Sequence, residues 1–287
     1  MIDDLQERTA RDENDPMRTT LKLFDEDDLE NEDDNGVFVG ISSVLGSRSS
    51  QQDTVFGQFS DGVGIGVVCD GMGGLNGGER ASATAVEALA TAYYDSMPIE
   101  DYGMFFRKQA ARIDSLVADL KDENGNNLGA GTTMVAATIH ENKMYFLSVG
   151  DSRIYLIRGN SITALNRLHN YRMTMDQKLS EGTMSPEEYK SQQKQAEALI
   201  SFMGMGNISI IDTNPDGLEL MHRDMILLCS DGLYKILKAE EILSILCTHS
   251  FDMQKAAQML TSEATARCKR KQDNTSVVLM QYKHSIL

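Results

Sequence analysis

A chain of 287 residues, 41% apolar and 24% charged, can bury a sizeable core as one large domain or two small ones. Its formal net charge of −16 argues against the basic face that nucleic acids and anionic membrane surfaces require, and no apolar run approaches the ~20 residues that cross a bilayer. Cys69, Cys229, Cys247 and Cys268 follow no metal-ligand spacing; with an acidic, polar N-terminus unlike a secretory signal, they read as reduced thiols of a cytoplasmic protein.

Residues 1–35 carry 14 acids against 4 bases, so −10 of the −16 lies there. So charged and apolar-poor a segment is expected to stay a disordered tail, with 36–287 forming a single catalytic-sized domain. Strands are predicted at 37–44 and 53–59, and the apolar run 62–70 reads as a buried strand ending at an acid and a glycine-rich turn. Alanine-rich 78–97 has helical spacing and is closed by Pro98; a second helix covers 99–120, and 122–131 is a loop. Strands follow at 132–140, within 143–159 and at 161–165. Residues 168–205 change texture, being polar, methionine-rich and mostly helical, with a break at Ser185–Pro186; this reads as an insertion between strands. Strands at 208–212 and 224–231, helices at 238–247 and 251–268, and a last strand at 274–282 complete the chain. Two groups of strands with paired helices between them point to layered α+β architecture.

Aspartates recur at the ends of the apolar strands. VVCD ends at Asp70, LLCSD at Asp231 and FLSVGD at Asp151, and Asp273 directly precedes NTSVVL. Carboxylates held beside a buried strand are costly without a cation or hydrogen-bond donors. Four converging on one rim would suit a hard cation such as Mg²⁺ or Mn²⁺, and no histidine or cysteine cluster competes for a softer one. Glycines after Asp70 (Gly71, Gly73, Gly74, Gly77, Gly78) and Gly232 after Asp231 let backbone approach closely, and the Gly71 carbonyl is itself a candidate ligand.

Six segments, RSSQQD (48–53), VVCDGMGGLNGGERAS (67–82), GAGTTMVAA (129–137), LSVGDSRIYLIRG (147–159), LLCSDGLY (227–234) and QDNTSVV (272–278), give the chain a resemblance to the metal-dependent protein phosphatases (the PPM family). These are the type 2C serine/threonine phosphatases, and the likeness is to their bacterial members, running from about Val37 to Tyr282. The resemblance implies a four-layer sandwich, two antiparallel β-sheets flanked by helix pairs, with a cleft at one end. It implies a hydrolase that removes phosphate from serine and threonine side chains by attack of a water bridging two Mn²⁺ or Mg²⁺ ions. Asp70 would bridge the ions, the Gly71 carbonyl would bind one, and Asp231 and Asp273 would hold the other. Asp151 would share a third, weaker ion with Asp231. Arg48 would bind the substrate phosphate, Asp53 would orient the attacking water, and Asn274 would stand behind Asp273. The insertion at about 168–205 corresponds to a flap, the implied partners are phosphoproteins and a cognate kinase, and the chain is expected to be a monomer. The alternative is a catalytically silent relative acting as a binding module; loss of the metal acids would mark it, and all four are kept.

The likeness is incomplete. Gln51 and Gln52 precede Asp53 where relatives often have asparagine and an acid, Met72 stands where eukaryotic members often have histidine, and ISFMGMG (200–206) replaces an arginine-containing segment. The 17 methionines read as core filler, His169 as structural, and Arg153 as a partner of nearby carboxylates.

Overall fold

The computed structural model describes residues 36–60, 62–74, 77–249, 252–268 and 271–284; the acidic segment 1–35 lies outside the described residues. The first sheet is ordered β1 (Gly36–Val44), β12 (Thr275–Lys283), β11 (Met225–Cys229), β7 (Arg153–Arg158) and β8 (Ser161–Ala164). The second runs β10 (Leu218–Glu219), β6 (Lys143–Val149), β5 (Met134–His140), β3 (Val63–Met72) and β2 (Asp53–Ser60), with β4 (Gly131–Thr132) on β3 and β9 (Asp212–Thr213) on β6. Every named strand pairing among the described residues is antiparallel.

The two-residue period of a strand sorts side chains into layers. Val68, Val135, Ala137, Ile226, Leu228, Val278 and Met280 pack between the sheets. Their neighbours on the same strands point outward: Ile65, Val67, Cys69, Met134 and Ala136 meet α1 (Gly77–Asp95) and α2 (Tyr102–Ala118). On the opposite face, Leu227, Cys229, Val277 and Leu279 meet α6 (Ala239–Thr248) and α7 (Met253–Arg267). Both sheets are therefore buried on both faces, which is why their strands read as continuous apolar runs. The four layers expected from the resemblance are present.

Helix starts follow local chemistry. Asp101 and Asp252 accept the amides of Met104 and Lys255, each at 2.8 Å, at the N-termini of α2 and α7. Ser185 and Glu188 form a capping box on α4 (Pro186–Ser191). Within 168–205, α3 (Tyr171–Ser180), α4 and a turn of 3-10 helix at 193–195 build a small core of their own from Met175, Met184 and Ala196, flanked by Tyr171 and Tyr189. Residues 199–205 are not helical, so the segment is less helical than its composition suggests.

Three expectations need correction. The strand predicted at 208–212 reduces to Asp212–Thr213. Side chains take up its backbone groups instead: Asp114 accepts the Ile208 amide (3.1 Å) and Ser201 donates to the Ile210 carbonyl (2.8 Å). The run read as ending at Asp70 continues to Met72, because Gly71 and Met72 pair with β4. The run read as ending at Asp231 stops at Cys229, and Asp231 instead opens a single helical turn, α5 (Asp231–Tyr234).

Candidate metal-dependent active site

Register places the acids. Asp53 and Asp70 are directly paired across β2 and β3 at one end of the second sheet. In the first sheet Cys229 pairs with both Arg153 and Val277. Asp151, Asp231 and Asp273 lie just beyond those three residues and so leave the same end of that sheet. A hydrogen bond from Ser230 Oγ to Asp53 Oδ2 (2.8 Å) joins the two sheets at this rim. Ser230 is itself fixed by Ser276, whose amide donates to its hydroxyl at 3.0 Å.

The backbone around Asp70 is held by Thr132 and Thr133. Its amide donates to Thr133 Oγ1 (3.0 Å), and its carbonyl accepts the Thr133 amide (2.9 Å) and the Thr132 hydroxyl (2.9 Å). The GTT motif at 131–133 is therefore a clamp on Asp70. Only glycine fits beside it: a Cβ on Gly71 would lie 2.1 Å from the Gly78 carbonyl oxygen, and one on Gly232 would lie 2.1 Å from that of Asn274. Gln52, in place of an acid, donates to the Gly73 carbonyl (3.0 Å) and so holds the glycine-rich turn.

Asn274 does more than stand behind Asp273. Its amide donates to Asp273 Oδ1 (2.9 Å), its Oδ1 accepts the Gln52 amide (2.9 Å), and its Nδ2 donates to the carbonyls of Leu45 (2.9 Å) and Ser50 (3.2 Å). It thereby fixes both ends of the loop that carries Arg48. Arg48 Nη2 is 2.5 Å from Asp273 Oδ2, with the guanidinium side chain 56% exposed at the mouth of the rim. Tyr234 donates its hydroxyl to the Asp151 carbonyl (2.8 Å), tying α5 to the β6–β7 turn. Among the described residues Arg153 pairs with no carboxylate, contrary to expectation; it donates to the Asn166 carbonyl (2.9 Å) and lies over the Tyr234 ring. His169 is fully buried, with Nδ1 accepting the Gly150 amide (3.2 Å) and Nε2 facing Asp212 (3.3 Å), a structural position as read.

The rim is crowded with negative charge. Burial raises the Asp70 pKa well above the ordinary aspartate value, and Asp53, Asp231, Asp151 and Asp273 each raise it further. Burial pushes Asp53 up to about 7 against its serine hydrogen bonds, and pushes Asp151 up to about 6. Asp53 Oδ1 is buried with no hydrogen-bond partner. An orphaned carboxylate oxygen beside a knot of mutually repelling acids is a donor set suited to hard divalent cations. Among the described residues no three Asp, Glu, His or Cys side chains are gathered at metal-ligand spacing. Two of the candidates are turned to basic partners, Asp273 to Arg48 and Asp231 to Lys235.

Five aspartates and an arginine at one rim of a two-sheet sandwich make that rim the candidate site for cations and an anionic ligand. The profile of the family described as Protein phosphatase 2C matches residues 42–268, and the chain belongs to that family. The serine/threonine phosphatase stp of Listeria welshimeri is 28% identical over 218 residues, covering 75% of this chain and 83% of the relative. The serine/threonine protein phosphatase PstP of Mycobacterium tuberculosis is 29% identical over 202 residues, 69% of this chain and 36% of the relative. The crystal structure of the Mycobacterium tuberculosis phosphatase PstP/Ppp superposes with a TM-score of 0.71 at 27% identity, covering 86% of this chain and 99% of that one. The catalytic domain of PstP in complex with two manganese ions superposes at 0.69, with 25% identity and coverage of 86% and 99%.

Proposed function

We propose that this chain hydrolyses phosphoserine and phosphothreonine in other proteins, using two Mn²⁺ or Mg²⁺ ions. The observation that carries this reading is the meeting of Asp53, Asp70, Asp151, Asp231 and Asp273 at one rim beneath an exposed arginine. The relatives named as serine/threonine phosphatases and the neighbour holding two manganese ions support it.

Asp70, the Gly71 carbonyl, Asp231 and Asp273 would hold the ions. When bound, the ions would neutralise phosphoryl charge and make water acidic enough to attack near neutral pH. The chain's own residues do the rest. The Thr132–Thr133 clamp fixes the Asp70 backbone at the rim. Asp53, held through Oδ2 by Ser230, would orient the attacking water through its unpartnered Oδ1. Arg48 presents a planar fork of donors that matches two phosphate oxygens, and it must leave Asp273 to do so. Asn274 limits how far the Arg48 loop can move during that exchange.

Residues 168–205 form a flap beside the rim, supported by their separate small core, and would select protein substrates more than they affect hydrolysis itself. The opposing partner is a serine/threonine kinase. The chain works as a monomer in the cytoplasm, away from nucleic acid and membrane, consistent with its −16 charge; no helix among the described residues is long and apolar enough to cross a membrane.

Phosphate release from phosphothreonine peptides and from small phosphorylated metabolites, measured side by side with Mn²⁺ and then with chelator, tests this reading. Metal-dependent release with peptides preferred is expected. Preference for the metabolites would overturn the protein-substrate assignment.

A further inference from the structure

Lys235 is a fixed cation beside the candidate metal acids. Asp231 and Lys235 are four residues apart on α5 and its C-terminal residue, the spacing that places two side chains on the same face of a helix. Lys235 Nζ is paired with Asp231 Oδ2. The lysine side chain is 41% exposed and the aspartate 16% exposed, so the pair is only partly open to solvent. The Asp151 backbone is tied to the same turn through Tyr234, and the Asp231 and Lys235 charges both act on its carboxylate. Glu197, from the 168–205 segment, adds a third carboxylate to the field around Lys235, and its own nearer partner is Arg172 at 2.7 Å.

We propose that the Lys235 ammonium takes the place of a third metal ion between Asp231 and Asp151. The proposal rests on the two-ion reading of the site. It changes the expectation drawn from the resemblance, in which Asp151 and Asp231 share a weaker ion. A carboxylate has two oxygens; with Oδ2 of Asp231 on the ammonium, Oδ1 is left for one metal. A divalent ion placed between Asp231 and Asp151 would have to displace Lys235 and then stand next to its charge. A lysine carries one positive charge on a tethered stem, and its three donors cannot polarise water as a divalent ion does. The site therefore holds two exchangeable ions and one fixed cation, and its third positive charge does not depend on the metal concentration.

The test is the number of Mn²⁺ ions bound per full-length chain, by equilibrium dialysis or calorimetry, in the unsubstituted protein, Lys235→Asp, Lys235→Gln and Asp70→Asn. Differences between variants remove any weak binding by the acidic tail, which all of them share. Lys235→Asp is expected to bind one more ion than the unsubstituted chain, more weakly than the first two. Adding Asp151→Asn to Lys235→Asp is expected to remove that extra ion. In the unsubstituted background Asp151→Asn is expected to leave the count unchanged. Loss of an ion on Asp151→Asn alone would overturn the proposal, because a metal would already be held there. An equal count in Lys235→Asp, Lys235→Gln and the unsubstituted chain would overturn it as well. Binding that is absent throughout, or unaffected by Asp70→Asn, would overturn the two-ion reading itself, and the proposal with it.

Discussion

Replacing Asp114 with alanine should destabilise the protein and slow it, although Asp114 is far in sequence from every acid of the rim. Asp114 is 2% exposed on α2. Its Oδ1 accepts the amides of Gly204 (2.8 Å) and Gly206 (3.1 Å), and its Oδ2 accepts that of Ile208 (3.1 Å). A hydrogen bond to a charged group contributes about 1.5–3 kcal/mol. These amides are only partly buried, and water can replace the acceptor for some of them, so the three together are discounted to about 2–4 kcal/mol for Asp114→Ala. At about 2–4 °C per kcal/mol for a domain of this size, Tm should fall by about 4–16 °C. Asp114→Asn keeps one acceptor oxygen and should lose less. The effect should reach the rim because Met203, next to Gly204, exchanges backbone hydrogen bonds with Thr132 (3.0 and 2.8 Å), whose hydroxyl holds the Asp70 carbonyl. A small misplacement of Asp70 would cost turnover roughly tenfold or more. Thermal melts by circular dichroism and turnover of an aryl phosphate measure the two effects. An unchanged Tm in Asp114→Ala would refute the reasoning, and a lowered Tm with full turnover would refute the link to Asp70.

Other consequences follow from the same geometry. Asp70→Asn should abolish turnover and, by removing one of the crowded carboxylates, raise the Tm of the chelator-treated protein; a lowered Tm would show that Asp70 is not under repulsion. Asp53 and Asp151 titrate at about 7 and about 6 in the folded chain, against 3.8 ordinarily. Between pH 4 and about 7 the folded state thus retains protons that the unfolded chain has released, so the stability of the chelator-treated protein should decline with rising pH across that window. Melts at intervals from pH 5 to 8 should show the decline, and Mn²⁺ should suppress it; stability that rises with pH would contradict the burial argument. Gly232→Ala would force a Cβ to within 2.1 Å of the Asn274 carbonyl oxygen, costing roughly 1–3 kcal/mol or more and displacing Asp231. Both Tm and turnover should fall, and a variant indistinguishable from the parent in both would count against the close packing of α5 on Asn274.

The layers and the acids were legible because each has a strong local signal. Strands buried on both faces appear as runs such as GVGIGVV, and each metal-binding candidate follows or precedes one. Less legible was where those runs stop. Asp70 lies within a paired strand because Gly71 and Met72 find β4, a two-residue partner with no signal of its own. The strand predicted at 208–212 failed because Asp114, nearly a hundred residues earlier, takes the Ile208 amide. The clamp of Thr132 and Thr133, the Ser230 bridge and the Lys235 ion pair were also not read. Each depends on a contact between segments far apart or on a small polar side chain whose partner no spacing reveals. Gln52, noted only as a missing acid, proves to hold the turn at Gly73.

The most direct test of the central claim is release of p-nitrophenol from p-nitrophenyl phosphate by the purified full-length chain, with Mn²⁺, with Mg²⁺ and with chelator, in parallel with Asp70→Asn. The account predicts release that needs a divalent cation and disappears in Asp70→Asn while the circular dichroism spectrum is retained. Release that survives chelator, or that persists in folded Asp70→Asn, would contradict it, and so would no release with either metal.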